Sequence, residues 1–522
     1  MFEDLFFDKR SEVSYRLFKL MKSLSGNSLT VSRLSTLMNL SYPQTYKAHQ
    51  EVYADLVEIN NKQLNRDVTV DSSFQELAGD ITVEAYRFFL LKQSLAFQFI
   101  DEAFQNDGVD IDEFAKRAGL STATIRRRLD PFRDLMQRNK LYFDQTTWAP
   151  RGPEFGLRSL LNAFYFEGYR GGPWPFENTI SREDARQIFL VINKHNMLGV
   201  DQTDVISRGN LIMIGVLKMR LKQGHAVPMS TRFDQLISYE KNADNEPFTA
   251  KYFPNVTERV LTNEMRHYHF LRAVVMSSSA HDTHGGRELR THLQSFANPV
   301  DDFVQKVMDD LTTDMDSLSK LHTRGDVVLQ TNMYRLGMAY YVMNGPYVRS
   351  SDFAERNALQ NSGRGVYAQV AAAINSIPDS EPAGQFKRFM PDIAESLFNI
   401  FRMKFADFDA TPMLKVTVEV DQRELVTDDM LQYLQDMNLI QLIPQSHANE
   451  ADVILSSSSA VNTMIKKMGY ATEDERQPEI LYWGLENHDL DLFRLAETIR
   501  NFALAKAGEE KSHRDSHLIE GY

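Results

Sequence analysis

VDIDEFAKRAGLSTATIRRRLDPFRDLMQRNK, residues 109–140, narrows the fold of this chain more than any other stretch. Apolar residues recur at helical spacing over Ile111–Ala118 and again after Ser121. Gly119 between them can take the left-handed backbone that ends a helix. Ser121 is a natural N-cap for the next one. Ile111, Phe114, Ala115, Leu120, Ile125 and Leu129 are expected to share one apolar core. Two helices joined by so short a Gly-containing turn form a helix-turn-helix. Pro131 removes one backbone hydrogen bond and clashes with the carbonyl of Arg127, so the second helix is expected to kink or end there. In LYFDQTTW, Leu141–Phe143 and Thr146–Trp148 predict a hairpin about Asp144-Gln145, making the unit a winged helix.

The layout occurs twice. NSLTVSRLSTLMNLSYPQTYKAHQEVYADL, residues 27–56, predicts a helix over Val31–Met38, an Asn-Leu-Ser turn and a second helix with Pro43 in its first turn. Proline is tolerated there because that N–H has no helical partner. From about Phe155 to Met403, long amphipathic segments predict helical bundles, with SFANPVDD (295–302) as a boundary between two of similar length. After residue 410 the texture alternates. Strands are expected over 413–420, 439–444, 451–459 and 479–485, and helices over 427–437 and 489–506. That alternation implies a mainly parallel sheet. The fold class read here is mainly α and multidomain: N-terminal winged helix-turn-helix units, two helical bundles, and a small C-terminal α/β domain with a mainly parallel sheet. The expected domains are 1–60, 61–155, 156–295, 296–408 and 409–507, with a polar tail over 508–522.

Charge separates the two ends. The 522-residue chain carries a formal net charge of -13. Residues 411–522 hold 10 Lys and Arg against 20 Asp and Glu, whereas residues 109–140 hold 8 basic and 5 acidic residues. An anion-binding end on an acidic protein is the simplest reading. The chain contains no cysteine, which excludes disulfides, thiolate metal sites and a cysteine nucleophile. The acidic N-terminus MFEDLFFDKR is unlike a signal peptide. No apolar run approaches the ~18–20 residues of a membrane span. A cytoplasmic protein without a membrane partner is expected.

The order of these parts resembles the Mga/AtxA-type regulators of Gram-positive bacteria. LSTATIRRRLDPFRDLM and RGPEFGLRSLLNAFYFEGYRG carry the closest local likeness. The resemblance implies two helix-turn-helix units, two phosphotransferase-system regulation domains and a domain like enzyme IIB. It also implies regulatory histidines phosphorylated by the phosphocarrier HPr or a relative. An active enzyme IIB carries a phosphorylated cysteine after its first strand. Here EVDQREL follows that strand, so an interaction or dimerisation role is expected instead.

Candidate contacts follow from chemistry. Arg126, Arg127 and Arg128 lie about 100° apart on a helix and cannot share one face. Thr122 and Thr124 occupy the first turn, where a recognition helix meets base edges. Gln44, Thr45 and Lys47 hold the corresponding places in the first unit, whose charge is near neutral (Arg33 and Lys47 against Glu51 and Asp55). A phosphoacceptor histidine needs an exposed ring nitrogen with donors or cations nearby. The candidates are His195, His267, His269 and His322, two of them near Arg266 and Arg324. The HDTHGG segment with His281 and His284 lacks the HExxH spacing of a catalytic metal site, and no metal, cofactor or enzyme activity is expected. The expectation is a cytoplasmic transcriptional regulator, of activator type, that binds double-stranded promoter DNA as a homodimer or higher oligomer under phosphotransferase control. The alternatives are a DNA-binding regulator or architectural protein without phospho-control, or a metal-dependent hydrolase or phosphotransferase component.

Overall fold

The computed structural model describes residues 1–24, 30–194, 198–200, 207–237, 252–275, 281–313, 325–353, 364–402, 414–419, 434, 440–456, 478–482, 499 and 502. The chain divides into two compact units: Met1–Glu355 with Ala373–Leu397, and Arg356–Ala372 with Phe398–Tyr522.

The first unit begins with α1 (Lys9–Ser23), α2 (Val31–Met38) and α3 (Tyr42–Gln63), the first helix-turn-helix. Short α4 (Phe74–Ala78) and α5 (Val83–Gln93) follow. The second unit of the repeat is α6 (Leu95–Asn106), α7 (Ile111–Arg117) and α8 (Thr122–Arg138), closed by strands β1 (Tyr142–Phe143) and β2 (Pro150–Arg151). The helical part then runs through α9 (Glu154–Gly168), α10 (Arg182–Ile192), α11 (Arg208–Lys222), α12 (Thr231–Leu236), α13 (Glu258–Phe270), α14 (His284–Gln294), α15 (Pro299–Leu311) and α16 (Val327–Met343). Nearly every start is capped by an N-cap Ser, Thr, Asp or Asn whose side chain accepts a first-turn N–H, as at Asp8, Ser94, Ser181, Ser207 and Asn298.

Three local expectations change. Of the two outcomes expected at Pro131, an end does not occur: α8 continues to Arg138. The missing hydrogen bond and ring clash cost about 3 kcal/mol. Leu129, Phe132 and Met136 are all fully buried around the proline, and each contributes about 1.5–3 kcal/mol, so packing carries the helix through. The wing's second strand is not Thr146–Trp148 but Pro150–Arg151, paired as Tyr142↔Arg151 and Phe143↔Pro150. Leu120 is not in the core; it is 37% exposed in the turn.

One hydrophobic core runs from Phe2 and Phe6 through α6–α8 and the wing into α9–α11 and α13. The N-terminal segment is part of it. Phe6 meets Phe97 edge-on at 5.4 Å and Phe2 meets Phe353 at 5.3 Å. Arg87 is buried beside them, paired with Glu3 and donating to the Glu167 carbonyl at 2.7 Å.

A chain of ion pairs joins the winged helix to the helices after it. Arg158 on α9 donates to Glu154 (2.9 Å), to the Glu264 carboxylate on α13 (2.9 Å) and to the His225 carbonyl (2.9 Å). Arg220 on α11 forks onto both oxygens of Glu154, at 3.0 and 2.8 Å. It also reaches Asp107, at the end of α6, at 3.4 Å. Asp107 in turn holds Arg151 of the wing at 2.9 Å and His225 Nε2 at 2.8 Å. Burial alone would raise the Asp107 carboxyl, but hydrogen bonds from His225 and Arg151 bring it below its usual range.

In the second unit the strands β3 (Leu414–Glu419), β4 (Ile440–Leu442), β5 (Val453–Ser456) and β6 (Glu479–Tyr482) form a sheet in the order β4-β3-β5-β6. All three pairings are parallel, with Val416 opposite Val453 and Leu455 opposite Leu481. β5 is buried at every position, as expected of a parallel strand covered on both faces. The helices expected over 427–437 and 489–506 fall almost wholly outside the described residues, as does the polar tail.

Glu264→Ala leaves Arg158 buried with fewer partners. Stability to urea is expected to fall by about 3 kcal/mol, the scale of breaking a buried ion pair. A loss under about 1 kcal/mol in equilibrium unfolding would contradict this account of the network.

Candidate nucleic-acid interface

The turn between α7 and α8 is built locally. Asp110 caps α7 by accepting from the N–H groups of Asp112 (2.9 Å) and Glu113 (3.0 Å). Gly119 takes φ +66. A Cβ there would meet nothing within 4 Å, so backbone handedness is what calls for glycine. Leu120 N–H closes back onto the Ala115 carbonyl at 3.0 Å. Ser121 then caps α8 by accepting from Thr124 N–H at 3.2 Å. Ile125, Leu129, Phe132 and Met136 are buried and fix the helix's rotation about its own axis.

The wing is held by Asp144 and Trp148. Asp144 Oδ1 accepts from the N–H groups of Thr147 (2.8 Å) and Thr146 (2.9 Å) and from the Thr147 hydroxyl (3.0 Å). These bonds, the Thr147 N–H first, hold its carboxyl below the usual carboxylate range. Thr147 also accepts Val109 N–H on its carbonyl at 2.9 Å. Gly108 lies against that carbonyl, which a Cβ would approach to 2.5 Å. Trp148 meets Phe99 edge-on at 5.3 Å. Tyr142 on β1 is 59% exposed.

The three arginines divide as helix geometry requires. All are exposed. Arg126 leans toward the wing, with its guanidinium 5.9 Å from the Trp148 ring, and Arg133, two turns on, sits 6.0 Å from the same ring. Arg133 also pairs with Asp130 at 2.9 Å. Among the described residues neither Arg127 nor Arg128 has an ion-pair or hydrogen-bond partner. Arg127 lies opposite the buried face and Arg128 on the flank away from the wing.

The first-turn threonines are half-buried with their hydroxyls engaged. Thr122 donates to Asp112 at 2.8 Å, and Thr124 shares a hydrogen with Ser121 at 2.9 Å. In the first helix-turn-helix, Thr45 is buried and donates to the Ser41 carbonyl at 3.1 Å. Gln44 closes a capping box, accepting from Ser41 N–H at 3.1 Å. Lys47 is exposed. Sequence reading missed Tyr42 and Tyr46 here, whose exposed rings stack in parallel at 6.3 Å. It also missed Trp148 as the partner of Arg126. The i, i+4 spacing of the tyrosines could have marked the first; nothing local marks the second.

Two of the four candidate histidines are described. His267 on α13 is 1% exposed, edge-on to Phe155 at 4.6 Å, and neither ring nitrogen has a hydrogen-bond partner. Burial, with Arg158 nearby, pushes its imidazole well below the usual range. His269 is 3% exposed, and its Nε2 meets the Leu198 carbonyl at 2.7 Å. Burial lowers it too. Neither presents the exposed imidazole that phosphoryl acceptance requires. Arg266 faces Asp234 at 3.4 Å. His195, His322 and Arg324 lie outside the described residues. Among the described residues no group of three His, Cys, Asp or Glu side chains could hold a metal ion, and no helix is long and apolar enough to cross a membrane.

His267 and His269 are held neutral in the fold, but in the unfolded chain they take up protons below their ordinary value of about 6.5. Their depressed folded values therefore make stability fall as pH drops through about 6.5, with no effect above it. His267→Phe is expected to flatten the stability–pH curve between about pH 5 and 6.5. An unchanged slope in denaturation at a series of pH values would contradict this.

No curated protein matches the chain. Residues 80–165, which span α5–α8, the wing and most of α9, match the Mga helix-turn-helix domain, and that similarity supports a DNA-binding transcriptional regulator.

Proposed function

We propose that the chain is a sequence-specific transcriptional regulator, of activator type, that binds promoter DNA through α8 and the wing. The observation that carries this reading is the pair Arg127 and Arg128: exposed, without partners among the described residues, and on a capped helix of a domain similar to the Mga helix-turn-helix domain. Helix-turn-helix proteins place the first turns of such a helix in the major groove. Arginine supplies phosphate affinity and salt dependence, or base contacts to guanine. One winged helix reads few base pairs, so the protein acts as a homodimer or higher oligomer on paired half-sites. The first helix-turn-helix adds contacts from Lys47.

Arg127→Ala and Arg128→Ala are each expected to weaken binding to a promoter duplex at least tenfold. A variant that loses a phosphate contact also lowers the salt slope by about one. Arg126→Ala acts mainly through the Trp148 contact and is expected to cost less. Unchanged affinity and salt slope in a triple Arg126/Arg127/Arg128→Ala variant, measured by gel shift, would remove this helix from the interface.

The regulatory part of the proposal is control by phosphocarrier HPr through His195 or His322. Access to His267 or His269 would require α13 to open. Burial of those two also favours a second reading, a DNA-binding regulator without phospho-control. Incubation with phosphorylated HPr, followed by mass-spectrometric mapping, separates the two. Phosphate on His195 or His322 is expected under the first, and no modified histidine under the second.

A further inference from the structure

Helix α8 turns a specific stripe outward. Its core residues Ile125, Leu129, Phe132 and Met136 are buried on one side. At about 100° per residue, the residues opposite that side are Ala123, Arg127, Asp134 and Arg138. Ala123 and Arg127 are exposed. The neighbours of Ala123 do not compete with it, because the hydroxyls of Thr122 and Thr124 are tied to Asp112 and Ser121. In the first turn Ala123 therefore presents its methyl group outward, between a Thr122 hydroxyl given to Asp112 and a Thr124 hydroxyl bonded to Ser121.

Further along, Asp130, paired with Arg133, and Asp134 are exposed carboxylates that offset the basic charge of this part of the helix. They confine close contact to the first two turns. Within that span the outward stripe is Ala123 followed by Arg127, one helical turn and about 6 Å along the axis. That separation matches about two base pairs at about 3.4 Å each. A methyl group is chemically matched to the 5-methyl of thymine, and a free guanidinium to guanine O6 and N7.

We infer that Ala123 is a specificity-determining residue: its methyl reads a thymine 5-methyl in the major groove, while Arg127 reads a guanine within about two base pairs of it. The inference rests on the DNA-binding reading above and deepens it. Thr122 and Thr124, engaged within the protein, position the turn.

The test starts with the full chain and a duplex selected by it from a random-sequence pool. Each thymine of that duplex is replaced in turn by deoxyuracil, which removes only the 5-methyl. Each guanine is replaced by 7-deazaguanine, which removes the N7 acceptor. One thymine per half-site is expected to lose about threefold to fivefold in affinity, the scale of one buried methyl group. A guanine within two base pairs is expected to lose tenfold or more. Ala123→Gly should abolish the thymine effect alone, and Arg127→Ala the guanine effect alone. A flat deoxyuracil scan by the parent protein on its own selected site would overturn the inference and leave DNA binding standing. So would a thymine effect that persists in a folded Ala123→Gly variant. Failure to select any duplex would overturn the DNA reading and this inference together.

Discussion

Arg158 and Arg220 are almost completely buried, and the geometry of the first unit depends on how they are paired. Taking a guanidinium out of water costs several kcal/mol unless carboxylates and carbonyls meet it in the right places. The planar fork of arginine accepts few such arrangements. Glu154 lies between the two arginines and Glu264 closes one end. Asp107 closes the other, and it also holds Arg151 of the wing. The winged helix is thereby set against α9, α11 and α13 by charge as well as by a shared apolar core. Hydrophobic contact alone would tolerate small rotations; a forked ion pair does not.

That network gives α8 and the wing a fixed base. The wing is fixed by Arg151 at one end and by Trp148 in the core. Trp148 also faces Arg126 and Arg133, so the wing and α8 share a cation–aromatic contact. Arg126 is drawn toward the protein, whereas Arg127 and Arg128 face outward. Three adjacent and identical side chains acquire different roles because one helix presents them to three different surroundings.

Much of the candidate interface was legible in the sequence because it depends on neighbours in the chain. Gly119 and Ser121 mark a left-handed turn and a cap whatever surrounds them, and both occur as expected. Pro43 in the first turn of α3 and the four parallel strands after residue 410 were legible for the same reason. Pro131 does not end the helix because its local penalty is outweighed by Leu129, Phe132 and Met136 in the core. The wing register shifted because Asp144 organises a longer turn than a two-residue hairpin. Leu120 looked like core by composition but sits where the turn faces water. The burial of His267 and His269 was not legible, since sequence shows an imidazole but not what packs over it.

By itself the sequence determined where helices begin and end around Gly119 and Ser121, the repeat of the helix-turn-helix and the parallel sheet. It also determined the absence of thiol chemistry. Each of these depends on backbone preference, periodicity or composition, which act over a few residues or need no partner. Only the tertiary structure decided which two of the three arginines are unengaged, that Thr122 and Thr124 are occupied, and that Asp107 links the wing to α11. Those outcomes turn on partners such as Trp148, Asp112 and Arg220. The chain brings them together only when the core and the buried charges are satisfied at once.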